Sequence, residues 1–172
     1  MSLTDKHVAI LVENLYQEME VWYPLYRLRE AGATVTTLGT GKKEYKSKLG
    51  YPVQADGDVH EAKAADYDGV VVPGGFAPDF MRRHKGPARF VREMFEAGKV
   101  VAAICHGLWI PASAGILKGK TVTAFFAIKD DLIHAGANYV DQEVCVDGNL
   151  VSSRKPDDLP AFLRETMKLL AG

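Results

Sequence analysis

The chain has 172 residues, enough for one domain that buries about two thirds of the surface its unfolded state would expose. Apolar residues make up 47% and charged residues 25%, a balance that excludes a disordered, collagen-like or membrane-inserted chain. The formal net charge is −1, and Lys and Arg are scattered rather than gathered in runs, so there is no basic footprint for nucleic acid.

From Met1 to Lys6 the chain is polar. The apolar run that follows, His7 to Val12, is too short for a signal peptide or a membrane span, so a cytosolic location is expected. A strand at Val8 to Val12, an amphipathic helix at Glu18 to Glu30 and a strand at Thr34 to Leu38 set out a β–α–β unit. Gly69 to Val72 and Lys99 to Ile104 lack polar alternation and read as central strands of a parallel sheet covered on both faces. Pro87 to Gly98 reads as a helix with Pro87 in the first position, Ala88, Val91, Met94 and Phe95 at helical spacing, and Gly98 as the stop. Glu143 to Ser152 reads as a hairpin about Asp147-Gly148-Asn149, and Leu159 to Leu170 as a closing helix. No repeat or linker interrupts the chain, so residues 1–172 are expected to form a single α/β domain.

The feature richest in chemistry is the strand ending at Ile104, which runs into Cys105-His106-Gly107 and then a helical stretch, Leu108 to Ala114. A nucleophile elbow needs small residues two positions either side of the nucleophile, and Ala103 and Gly107 stand there. A thiol at a helix start faces unpaired N–H groups, which favour the thiolate, so a lowered pKa is expected for Cys105. Cys145, between Val144 and Val146 in a strand, reads as structural. Two cysteines with no CxxC pair or Cys/His cluster support neither a disulfide framework nor a metal site.

Glu20 lies at the start of the first helix, on the sheet edge that Cys105 would share. A carboxyl there is either a solvated acid or, in a desolvated pocket, a proton donor to the thiolate and a general acid/base. Pro73-Gly74-Gly75 follows a strand and offers backbone N–H groups to a ligand. Together with the amide of His106 it forms a candidate oxyanion hole. The His106 ring is adjacent to the nucleophile and need not touch its sulfur. The other four histidines have no partners at readable spacing.

These pieces together resemble the PfpI family of intracellular proteases and deglycases, in the superfamily that also contains ThiJ and the Parkinson-associated DJ protein. The likeness rests on Glu20 to Pro24, Val72-Pro73-Gly74-Gly75, Ala103 to Gly107, Ser113-Ala114-Gly115, Ile128 to Asp131 and Val151 to Arg154. It implies a flavodoxin-like three-layer sandwich of the class I glutamine-amidotransferase type. It also implies Cys105 as nucleophile with no cofactor, Glu20 as carboxyl partner, and amides of Gly75 and His106 as oxyanion donors. The resemblance further implies a homo-oligomer, a dimer or hexamer, because protease-like members complete a triad with a glutamate of the neighbouring subunit. The matching residue here is Asp79, one methylene shorter, which weakens a peptidase reading.

Three functions follow from that resemblance. The first is action on small glyoxal-type dicarbonyls or glycated adducts, in the manner of a deglycase or glyoxalase III. The second is peptide cleavage with His106 and a neighbour's Asp79. The third is a redox-sensing stress protein in which Cys105 is oxidised. Leu108 and Trp109 are bulky and are expected to narrow the mouth of the pocket.

Overall fold

The computed structural model describes residues 2–172. Its core is a seven-stranded sheet. In chain order the elements that build it and flank it begin with β1 (His7–Leu11), α1 (Glu18–Glu30), β2 (Thr34–Gly39), β3 (Glu44–Lys46), β4 (Pro52–Gln54) and β5 (Gly57–Asp58). They continue with β6 (Gly69–Val72), α2 (Ala77–Met81), α3 (Lys85–Glu96), β7 (Val100–Ile104), α4 (Trp109–Ala114), β8 (Thr121–Val122) and α5 (Lys129–His134). β9 (Asn138–Tyr139), β10 (Val144–Asp147), β11 (Leu150–Ser153) and α6 (Leu159–Ala171) complete the chain.

The strand order is β10-β11-β7-β6-β1-β2-β5, parallel throughout except for the β10–β11 hairpin. β6 and β7 are buried at every position and carry Gly, Val, Ala and Ile only, as the covered centre of a parallel sheet requires. β2 lies nearer an edge and keeps polar residues such as Thr34 and Thr36. Helices cover both faces. α1 and α6 pack together on one side, and α3 and α4 lie on the other.

α1 buries Val21, Pro24, Leu25 and Leu28 along one stripe, the spacing of a helix that lies on a sheet. Its N-cap is Gln17, whose side-chain oxygen accepts from the N–H groups of Met19 (2.7 Å) and Glu20 (3.3 Å). α6 buries Leu159, Phe162, Leu163, Thr166, Met167 and Leu170 in the same manner. Leu170 reaches Gly69, where a Cβ would stand 2.8 Å from its methyl group, so a side chain at that strand position would require Leu170 to shift.

Several boundaries differ from the sequence reading. Helix α3 begins two residues earlier, which puts Pro87 third rather than first. That position still costs no hydrogen bond, because the first four N–H groups of a helix have no partner within it. Gly98 does end the segment, with φ of 72°. The hairpin turn is Gly148-Asn149, and the Asn149 amide donates to the carbonyls of Phe95 and Lys99. Cys105 to Leu108 is a 3₁₀ turn, so the α-helix beyond it has only six residues. No helix among the described residues is long and apolar enough to cross a membrane.

Candidate active site

β1 has β2 on one side and β6 on the other, so the chain reverses its direction of travel across the sheet between β1 and β6. In an open α/β sheet the crevice at the carboxyl ends of the strands at such a point is where ligands bind. Three connections meet there: β1 to α1 delivers Glu20, β6 to α2 delivers Gly74 and Gly75, and the end of β7 delivers Cys105. Glu20, Gly75 and Cys105 line a cleft of about 170 Å³ with Gln17, Lys48, Phe76, His106, Phe125 and Lys155 around it.

Cys105 has φ of 61°, the left-handed region that a residue with a side chain seldom adopts. Such a conformation costs about 1–3 kcal/mol and persists only where the surroundings enforce it. Here they do. A Cβ on Gly74 would stand 2.8 Å from the Cβ of Cys105, and one on Gly107 would fall on the carbonyl oxygen of Val72. The small residue after the nucleophile is therefore demanded by the neighbouring loop, and the elbow aims the sulfur into the cleft.

Gly75 is also left-handed, with φ of 74°. It forms an isolated antiparallel bridge with Tyr16, in which Gln17 N–H bonds the Gly74 carbonyl and Phe76 N–H bonds that of Leu15. That pattern leaves the Gly75 N–H out of the ladder, and it points to the Cys105 sulfur together with the N–H of His106. These are the two amides expected as oxyanion donors. The His106 ring does reach the thiol, with Nδ1 3.4 Å from Sγ. It is held by stacking on Phe125 (4.9 Å between centroids) and by an edge contact with Trp109 (5.2 Å). Burial lowers the His106 pKa, aided by Lys48, so the ring is neutral at pH 7 and able to accept a proton.

Glu20 is fully buried. One carboxyl oxygen, Oε2, accepts the Gly74 N–H at 2.6 Å, whereas Oε1 has no hydrogen-bond partner among the described residues. Burial pushes its pKa up to about 8, against the pull of the Gly74 N–H, Cys105 and Lys48. The desolvated acid is thus the form present, and Glu20 carries its proton at neutral pH. Cys105 is raised as well, to about 12, first by burial and then by the negative charge of Glu20, against the His106 and Gly75 N–H groups. This overturns the expectation of a lowered thiol. A 3₁₀ turn and a six-residue helix supply a weaker dipole than a long helix, and burial outweighs it. When Glu20 is protonated, its charge no longer opposes the thiolate and its O–H becomes a donor toward sulfur.

The profile of the DJ-1/PfpI family matches residues 6–169. The chain belongs to this family. It is 43% identical over 163 residues to the Pyrococcus furiosus protein named Deglycase PfpI, covering 95% of this chain and 98% of that one. It is 41% identical over 167 residues to the Bacillus subtilis protein named Putative cysteine protease YraA, covering 96% and 99%. Among solved structures, a two-domain protein of Anabaena variabilis containing dj-1/thij/pfpi-like and ferritin-like domains superposes with a TM-score of 0.94 at 45% identity. The match covers 96% of this chain and 48% of that protein, so this chain spans about half its length.

Within this DJ-1/PfpI domain the remaining expected residues fall as follows. Asp79 is the third residue of α2 and lies outside the cleft of its own chain. It is half exposed and accepts from Arg83 Nη2 at 2.6 Å. Leu108 is buried in the core, and Trp109 donates its Nε1 N–H to Asp131 at 2.7 Å while packing on His106. Neither lines the cleft, whose mouth is narrowed instead by Phe76 and Phe125. Cys145 is half-buried with Sγ 3.2 Å from the Thr121 carbonyl, as a structural thiol would be. Sequence reasoning missed Lys48, Phe76, Phe125 and Lys155. Only the Phe125-Phe126 pair, two adjacent aromatics in a loop, offered a signal.

Proposed function

We propose that this chain is a cysteine-dependent, cofactor-independent enzyme acting on glyoxal-type dicarbonyls or on their adducts with thiols and amines. The observation that carries the reading is the size of the cleft over Cys105. About 170 Å³ is roughly the volume of five or six waters, below the range of pockets for drug-sized ligands. It suits a three-carbon dicarbonyl better than a peptide backbone with its side chains.

The chemistry balances without an external oxidant. The Cys105 sulfur adds to the aldehyde carbon of methylglyoxal, the oxygen takes up the thiol's proton, and a hemithioacetal forms. The neutral His106 ring then moves the C1 proton to C2 through an enediol, with the Glu20 O–H as the nearby proton donor, which oxidises C1 and reduces C2 within the same molecule. The product is a lactoyl thioester of Cys105, and water cleaves it to lactate and the free thiol. The oxygen of each tetrahedral species lies toward the Gly75 and His106 amides, which is the preorganised stabilisation such steps require. With an adduct as substrate, the bound thiol or amine leaves with a proton when the Cys105 sulfur takes its place.

The test is methylglyoxal turnover, read as lactate, in the wild type and in Cys105→Ser. Lactate from the wild type alone supports the reading. Cleavage of an unstructured protein without lactate would favour the peptidase, which needs a neighbour's Asp79 to leave Arg83 and reach His106. Stoichiometric oxidation of Cys105 without turnover would favour the redox sensor.

A further inference from the structure

A histidine that takes a proton from a nucleophile is usually oriented by a third group, which accepts a hydrogen bond from its other ring nitrogen. His106 has no such group in this chain. Its Nδ1 lies 3.4 Å from the Cys105 sulfur, its Nε2 bonds no other described residue, and Asp79 is turned to Arg83 instead. The torsion that turns an imidazole about its Cβ–Cγ bond is broad, so nothing within the side chain keeps Nδ1 toward the sulfur.

Two aromatic rings take up that task. Phe125 stacks on the imidazole at 4.9 Å and 28°, and Trp109 meets it edge-on at 5.2 Å and 67°. The indole is in turn held from two other elements. Its Nε1 N–H donates to Asp131 of α5 at 2.7 Å, and the guanidinium of Arg82, at the end of α2, lies over its ring at 5.4 Å. Arg82 is itself fixed, because its Nε donates to Ser113 at 2.9 Å, one turn along α4 from Trp109. Trp109, Asp131 and Arg82 all stand outside the lining of the cleft, so they act on the imidazole and not on what enters beside it.

We propose that Trp109 is a positioning residue for His106: the indole, pinned by Asp131 and Arg82, stands in for the missing hydrogen-bonded orienter and keeps the imidazole edge against the Cys105 sulfur. The proposal rests on the reading above that His106 moves the proton. The same contact shields the ring from water, and burial is the main cause of its lowered pKa. The charged and titratable groups around the ring are Cys105 beside it, Glu20, Lys48 and Lys155 at the cleft, and Arg82 and Asp131 on the indole.

The experiment follows the His106 ring by NMR across pH, its signals assigned by their loss in His106→Gln. It is paired with kcat and KM for lactate formation from methylglyoxal, in the wild type and in Trp109→Ala, Trp109→Phe and Asp131→Ala. Trp109→Ala should lower kcat about threefold to tenfold, the scale of one aromatic pair, and leave KM unaltered. It should also move the His106 titration upward, as water reaches the ring. Trp109→Phe restores an aromatic wall and should recover most of kcat. Asp131→Ala separates contact from charge, and because that side chain is exposed its loss leaves the core intact. Removing a carboxylate lowers the pKa of a nearby imidazole, whereas releasing the indole raises it, so the expected shift is upward and smaller than in Trp109→Ala. A His106 titration that stays or falls in both Trp109→Ala and Asp131→Ala, or a loss of activity carried by KM rather than kcat, would overturn the inference and leave the proposed function standing. Absence of lactate from the wild type would defeat the proposed function, and the two titrations would then decide the positioning role by themselves.

Discussion

Replacing Glu20 by Gln removes one buried ionisation and little else. The side chain is fully buried, its Oε2 accepts the Gly74 N–H at 2.6 Å, and an amide oxygen can accept the same bond. The amide nitrogen takes the place of the protonated oxygen and keeps a donor toward the Cys105 sulfur. In the folded wild type the carboxyl titrates at about 8 rather than 4.5, so between those values the folded state holds a proton that the unfolded state has released. Stability must therefore fall as pH rises: the contribution is whole below about 4.5 and is lost by the time pH passes about 8. At 1.36 kcal/mol per pH unit the loss across this window is about 5 kcal/mol, a large share of the 5–15 kcal/mol that holds a typical domain together.

The Gln variant carries no such titration, so its stability relative to the wild type should climb by about that amount between pH 4.5 and 8.5. Urea denaturation of both proteins at several pH values in the window measures the difference directly. The scan stops at 8.5 because an unfolded thiol begins to ionise near 9 and Cys105, raised by burial, adds a loss of the same sign above that. Parallel curves for the two proteins, or a wild type that gains on the variant as pH rises, would refute the claim that Glu20 is held protonated by desolvation.

Other expectations follow from single contacts. Cys105→Ser should abolish turnover, whereas Cys145→Ala should keep it, since that thiol only meets the Thr121 carbonyl; lactate assays on both variants check the contrast. Gly74→Ala places a methyl 2.7 Å from Glu20 Oε2 and 2.8 Å from the Cys105 Cβ, so it should lose activity and about 1–3 kcal/mol of stability, read by turnover and denaturation together. Met19, Tyr26, Leu49 and Tyr51 are exposed along α1 and the β3–β4 connection, with Trp22 stacked on Tyr26 and edge-on to Tyr51. Such a contiguous apolar face is expected to carry self-association. Sedimentation should give a mass above the 18.8 kDa chain, and Tyr26→Lys with Leu49→Lys should return it to the monomer.

The central sheet was legible because burial on both faces leaves a plain mark, the unbroken apolar runs of β6 and β7. The elbow was legible for a steric reason, since the small residue at 107 is enforced by the Val72 carbonyl. Glu20 was placed correctly at the sheet's carboxyl edge, but its state was not: whether an acid near a helix start is solvated or desolvated depends on Gly74 and on the loops above it. The strands β3, β4, β5, β8 and β9 are two or three residues long, too short to show a period of two. The walls of the cleft were invisible for a related reason. Lys48, Phe76, Phe125 and Lys155 come from four separate loops, and nothing local to any of them records that they converge.

That convergence bears on the choice among functions more than the nucleophile does. A thiol beside a protonated carboxyl and a neutral imidazole suits carbonyl addition, acyl transfer or oxidation alike, because each begins with electron density on the same sulfur. What separates them is the space above Cys105. Phe76 and Phe125 line it, and it holds about 170 Å³. A peptide needs a continuous groove on both sides of the nucleophile, and an oxidant needs only access. A small carbonyl needs only a narrow cleft over the sulfur, and Phe76 and Phe125 stand on either side of such a cleft.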